Sequence, residues 1–207
     1  MTTTPTTHSV SLFLVGVVSL FASACATSDL LSNRVDVAGV KYDAQECVED
    51  ALRNRPDPAA VSDAAVAFAR ACQEGEAAAC SVLGVMYELG RGFPVNAPYA
   101  RTLYGGACET QNLRACGNLG ELLLRDGSRA RESGRAVSLL RMSCGGGDQR
   151  ACDRLGRAYR DGDGEPRDAT QATALFDAAC SAGYAPACVE LAAQLAISGE
   201  HGGPRGA

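Results

Sequence analysis

Apolar residues recur along this chain in two alternating helical patterns, and the alternation as a whole repeats every 36 residues. The first pattern carries Cys80, Leu83 and Tyr87, then Cys116, Leu119 and Leu123, then Cys152, Leu155 and Tyr159, and finally Cys188, Leu191 and Leu195. An i, i+3, i+7 spacing puts each trio on one face of a helix. Ala79, Ala115, Ala151 and Ala187 precede the cysteine each time, and Gly84, Gly120 and Gly156 follow the leucine, with Ala192 in the last copy. The second pattern sets Ala64, Ala100, Ala136 and Ala172 four residues before Phe68, Tyr104, Leu140 and Phe176, and closes on Cys72, Cys108, Cys144 and Cys180. Between the two lie reversal signals, Gly90-Arg91-Gly92-Phe93-Pro94 and Asp161-Gly162-Asp163-Gly164-Glu165-Pro166, where glycine admits positive φ and proline ends a helix. Copy two, Arg125-Asp126-Gly127-Ser128-Arg129, lacks the Gly-x-Gly and is expected to turn less regularly.

These patterns predict A helices near 42–54, 78–89, 114–125, 150–160 and 186–197, and B helices near 62–73, 97–108, 133–144 and 169–180. Small Ala and Gly positions let two helices approach closely, while Leu, Tyr and Phe fill the space between successive hairpins. Composition agrees: 46% of residues are hydrophobic but only 5% aromatic, with no Trp, and such an Ala- and Leu-rich chain favours packed helices over sheet. The expected fold is all-α, an αα-hairpin solenoid of about four repeats over residues 42–198, its last A helix capping the array.

Ahead of the repeats, Val10 to Ala24 form an apolar run ending at Cys25. That is short for a membrane span and normal for a secretory core segment. Ala22-Ser23-Ala24-Cys25 resembles a lipobox, so residues 1–25 are expected to be a signal peptide ending in a lipidated Cys25. The leader MTTTPTTH has no Lys or Arg, which leaves ordinary secretion and an uncleaved anchor as alternatives. Residues 26–41 read as a tether and 199–207 as a disordered tail.

The unit Ala-Cys-x-x-Leu-Gly-x-x-Tyr, the Gly-x-Gly turn and a second helix ending in Ala-Cys together resemble the Sel-one-like repeat in its cysteine-rich, Helicobacter-type form. The resemblance covers roughly residues 42–198 and implies a right-handed superhelix of tetratricopeptide-like αα hairpins with one disulfide per repeat. Each B helix ends at a cysteine and the next A helix begins with one, eight residues on, across a short corner where the Cα atoms can reach disulfide separation. The expected pairs are Cys72–Cys80, Cys108–Cys116, Cys144–Cys152 and Cys180–Cys188. Cys47 occupies a buried Leu position of the first A helix and reads as an inert thiol.

A formal charge of -5 argues against nucleic acid as a partner. The distribution is uneven, because residues 89–160 carry 12 basic and 6 acidic groups between two acidic flanks. Beyond the leader there is one histidine, His201, and one lysine, Lys41. Histidine catalysis and metal sites therefore have almost nothing to use, Cys-x7-Cys is not a zinc spacing, and no Ser-x-x-Lys occurs. No catalytic residue, metal ligand or cofactor is expected. Some cysteine-rich relatives have been assigned penicillin binding and weak β-lactamase activity, so that alternative rests on the resemblance alone.

The favoured reading is a non-catalytic binding scaffold of the bacterial cell envelope, an outer-membrane lipoprotein facing the periplasm or a secreted protein. Its membrane contact would be through the lipid alone. In tetratricopeptide-like arrays the inner wall is lined by A helices. Projected on that register, Arg114, Arg125, Arg150, Arg157 and Arg160 share the wall with Glu121 and Asp153. Guanidinium forks there would suit an acidic protein or peptide, or an anionic envelope ligand. The competing reading is a solvated face, since Arg150, Arg154 and Arg157 sit at i, i+4 and i+7 and can pair locally with the acids.

Overall fold

The computed structural model describes residues 58–126 and 130–201, the strand residues 28–29, 34–37 and 40–43, and the helical residues Glu49 and Arg53. The leader, Cys25, Cys47, the corner residues 127–129 and the tail 202–207 lie outside the described residues. Eight helices follow one another from residue 58: α1 (Pro58–Gln73), α2 (Ala77–Leu89), α3 (Ala97–Glu109), α4 (Leu113–Asp126), α5 (Ala130–Gly145), α6 (Gln149–Asp161), α7 (Ala169–Ser181) and α8 (Ala185–His201). Odd numbers are B helices and even numbers A helices, in an all-α helical-hairpin fold of the solenoid type. Most ends fall within two residues of those expected. The largest departures are at α1, α5 and α8, and α8 continues through His201, into the stretch expected to be disordered.

Before the helices, β1 (Ser28–Asp29), β2 (Arg34–Val37) and β3 (Val40–Asp43) pair antiparallel in that order. Val37 faces Val40 and Arg34 faces Asp43. The segment expected to be a tether thus carries a small sheet, and Tyr42 and Asp43, expected to open the first A helix, belong to β3. Alternation of Val35 and Val37 with Arg34 and Asp36 is a strand signal, but four residues are too few for it to stand out.

The chain divides into two compact units, Met1–Ala115 and Cys116–Ala207. In the first, Phe68, Leu83, Val85, Met86 and Tyr104 are buried among small alanines, Ala79, Ala100 and Ala107. Tyr104 lies against Gly84 and its hydroxyl donates to Glu88 Oε2 at 2.7 Å. Burial first, and then the Glu88 carboxylate, hold that phenol well above its ordinary pKa, so it stays a donor. In the second unit Val137, Leu140, Leu155, Tyr159 and Phe176 form the core with Ala151, Ala158 and Ala172. A Cβ on Gly120 would stand 2.9 Å from both the Ala136 carbonyl oxygen and Leu140 Cγ, and one on Gly156 would stand 2.7 Å from Phe176 Cε1. The glycine after each leucine is therefore the position where the following B helix comes close.

Each corner from a B helix to the next A helix is built alike. Gly75, Gly147 and Gly183 take positive φ of 94°, 94° and 93°, and Gln111 occupies the same register with φ 67°. Their amides donate to the carbonyls of Cys72, Cys144, Cys180 and Cys108, and the next amides reach back to Ala71, Ser143, Ala179 and Ala107. This is the paired closure that ends a helix on a left-handed residue. Across the corner run Cys72–Cys80, Cys144–Cys152 and Cys180–Cys188, with Cα separations of 4.6, 4.7 and 4.7 Å. Cys108 and Cys116 are disulfide-bonded as well, and among the described residues no cysteine is free. Asp148 secures one corner further. Buried, it accepts from the Arg150 and Ala151 amides at 3.1 and 3.2 Å and from Ser143 Oγ at 3.1 Å.

Gln111 is the one side chain placed where the other three corners have glycine, and an L-residue in that region is strained by roughly 1–2 kcal/mol. Gln111→Gly is expected to raise stability by about 1 kcal/mol in urea unfolding of the oxidised protein, while Gly147→Gln lowers it by a similar amount. Destabilisation by Gln111→Gly would show that the glutamine side chain, not the backbone, holds that corner.

Candidate interaction surface

On the A helices of the second unit, successive copies place different polar groups at equivalent positions. Counting from the second cysteine of each copy, the residue two positions on is Asn118 in α4, Arg154 in α6 and Glu190 in α8. In the second unit these groups engage the arginines and acids of the neighbouring A helix. Arg150 donates to Glu121 Oε2 at 3.1 Å and also to the Asn118 side-chain oxygen. Arg154 meets the other oxygen of Glu121 at 3.1 Å. Further along, Arg157 holds Asp153 Oδ2 at 3.0 Å, within its own helix, and Glu190 Oε1 at 3.0 Å on α8. Arg160 completes the row, paired with Glu190 and, at 2.8 Å, with Asp161.

Burial is uneven along this network. Arg150 is buried, and a guanidinium so enclosed requires its partners, since a buried unpaired charge is costly. Asp153 has a side chain only 1% exposed, beside Arg157 at 31%. Burial raises the Asp153 pKa and the adjacent Arg157 charge opposes that rise. Asp161, at the exposed end, is pulled the other way by the hydrogen bonds from Arg160, so its carboxyl stays ionised below the usual range. Four arginines (150, 154, 157 and 160) and four acids (Glu121, Asp153, Asp161 and Glu190) take part, so the row is formally neutral and its guanidinium groups are held in fixed orientations.

The five arginines singled out in the sequence are thus placed unequally. Arg150, Arg157 and Arg160 are brought into one row on the second unit. Arg114, in the first unit, is buried, and Arg125 is exposed near the C-terminal end of α4. Pairing with Glu121 and Asp153 follows the solvated-face reading in its partners but not in its burial. Asn118 and Glu190 were missed as members, and Arg154 entered only through the solvated-face reading. Tabulating the position two after the cysteine in each copy would have found both, because they fall on it with Arg154.

Comparison with known proteins fits this geometry. The Sel1 repeat model matches residues 77–109 and 149–184, each an A helix followed by the next B helix. No curated protein matches the sequence. Among solved structures, the chain resembles a Sel1 repeat protein from Oxalobacter formigenes at TM-score 0.59 and 21% identity, covering 90% of this chain and 74% of that one. It also resembles c5321, a protective antigen of uropathogenic Escherichia coli with an SLR fold, at TM-score 0.59 and 20% identity over 87% of this chain. It spans 40% of that antigen's length.

Removing the buried member of the row separates structure from surface. Arg150→Ala removes a buried partner from Glu121, which keeps Arg154, and from Asn118, and is expected to cost about 1–3 kcal/mol in urea unfolding. A loss below about 1 kcal/mol, the range of exposed pairs, would contradict the enclosed placement of Arg150.

Proposed function

We propose, from the premise that this chain is a Sel1-like repeat protein, that it is a non-catalytic protein-interaction scaffold of the bacterial cell envelope. The arginine row on α6 is the observation that supports an acidic partner. Its partly exposed members, of which Arg154 and Arg160 are the two not tied to the buried Asp153, present guanidinium groups already oriented by Glu121, Glu190 and Asp161. A partner carboxylate reaching them exchanges with, or shares, carboxylates that are already there, so recognition depends on fork geometry and not on bulk attraction. That is consistent with the formal neutrality of the row.

Disulfides at successive corners support an oxidising compartment, because such bridges persist outside the cytoplasm and are reduced within it. No helix among the described residues is long and apolar enough to cross a membrane. The sequence Ala22-Ser23-Ala24-Cys25 supports anchoring through lipid on Cys25. Ala26, in place of an aspartate after the cysteine, favours the outer membrane over retention at the inner one.

One pulldown from detergent-solubilised envelope, run with fractionation of the same cells, tests both parts. Cys25→Ser is expected to shift the protein out of the membrane fraction or leave its precursor unprocessed. Arg154→Gln with Arg160→Gln is expected to leave the melting temperature nearly unchanged, to reduce partner capture about tenfold, and to blunt its sensitivity to salt. Undiminished capture by the double variant would refute the acidic-partner assignment, and unchanged membrane retention of normally processed Cys25→Ser would refute the anchor.

A further inference from the structure

Within both units, the face of an A helix that bears the leucine and its following small residue is covered by the next B helix. Tyr104 lies on Gly84, Leu140 on Gly120 and Phe176 on Gly156. On α8 no described residue takes that place. Leu195 is 54% exposed and Val189 is 70% exposed, whereas Tyr159, one repeat before Leu195, is buried. Beside them, between α7 and α8, runs an open groove of about 530 Å³ lined by Thr170, Thr173, Ala174, Asp177, Leu191 and Leu195. Its counterpart one repeat earlier has Arg141, Leu155 and Tyr159 at the positions of Asp177, Leu191 and Leu195, and there Gln171, Ala174 and Leu175 of α7 form the opposite side.

The repeat therefore shows what kind of element seats on this face, and two departures from the repeat define its chemistry. Ala192 stands where Gly156 receives the Phe176 ring and Gly120 the Leu140 side chain and the Ala136 carbonyl, so a helix seated here stands farther from α8 at this point than a B helix stands from its glycine. Asp177 stands where the earlier copy has Arg141, and the register position across the groove from it, Gln171 in α7, is the one from which a basic residue would meet its carboxylate. We propose that the α7–α8 groove docks an amphipathic helix of another protein, presenting a Leu ridge to Leu191 and Leu195 and a Lys or Arg to Asp177. This surface is separate from the arginine row, and neither Arg154 nor Arg160 lines it.

A probe follows from the chain itself, because α5 has the required pattern: Leu139 and Leu140 at the ridge positions and Arg135 at the register of Gln171. A fluorescent peptide of residues 130–145, with Cys144→Ser and a helix-stabilising staple on its solvent side, is titrated into the oxidised 207-residue chain. Saturable anisotropy is expected. Leu195→Asp should weaken binding about tenfold or more, as should Leu140→Asp in the peptide. Asp177→Arg should weaken it similarly, and the peptide carrying Arg135→Glu should recover the loss with that variant alone. Leu195 and Asp177 being at the surface, and Leu140 and Arg135 being changed only in the peptide, melting curves of the chain variants confirm that they are folded. Absence of saturable binding, indifference to Leu195→Asp, or failure of the charge exchange to recover affinity would each overturn the proposal. So would self-association of the chain that Leu195→Asp abolishes, which would assign the groove to a second copy, or tighter peptide binding on deletion of residues 202–207, which would assign it to the tail.

Discussion

The eight-residue corner between a B helix and the next A helix is the constraint on which this fold depends. Three requirements coincide there: a helix must end, the chain must reverse within four residues, and the following helix must begin with its small residues facing back. A left-handed residue meets the first two by closing the last carbonyls of the B helix onto the amides that follow. The disulfide meets the third by fixing the two helix ends at a Cα separation near 4.7 Å. Loop-closure reasoning assigns each bridge roughly 2–3 kcal/mol for a ring of this size. That weight matters in a chain whose core relies on alanine and leucine, with few aromatic rings to bury.

From the corner the rest follows in order. Once two helix ends are fixed, the contact farther along the A helix is set by the residue after its leucine, and glycine there lets Leu140 or Phe176 lie against bare backbone. Within the second unit, side chains of α4, α6 and α8 then pair from one A helix to the next. Asn118, Arg154 and Glu190 fall on one such row, and their copy-to-copy differences create the ladder of pairs from Arg150 to Asp161. Function in such a chain resides in the positions that escape the repeat. The buried members of the ladder, Arg150 and Asp153, are structural, whereas its partly exposed arginines and the α7–α8 groove are the proposed docking positions.

Much of this was legible in the sequence because a repeated pattern reports packing several times over. Two cysteine combs with one period placed the corners, and the Leu-Gly pairs placed the close approaches. The features that escaped are those the period does not carry. Residues 28–43 lie ahead of the repeats, and β2 and β3 are four residues each. Burial of Arg150 depends on Asn118 and Glu121, 32 and 29 residues earlier; within its own helix, Arg150 looks like one member of a solvated stripe. The left-handed corner position did have a signal, Gly75, Gly147 and Gly183 at multiples of the period, but Gln111 interrupts it. The backbone keeps the conformation there because the bridge and the helix-closing hydrogen bonds define it more strongly than a single side chain opposes it.

The central claim, that every corner is stapled locally and in one register, is tested most directly by disulfide mapping of the exported protein. Alkylation under denaturing, non-reducing conditions followed by proteolysis and mass spectrometry is expected to recover Cys72–Cys80, Cys108–Cys116, Cys144–Cys152 and Cys180–Cys188, with none of these eight cysteines alkylated. Bridges joining cysteines of different copies, or alkylated cysteines at any of the eight positions, would contradict it.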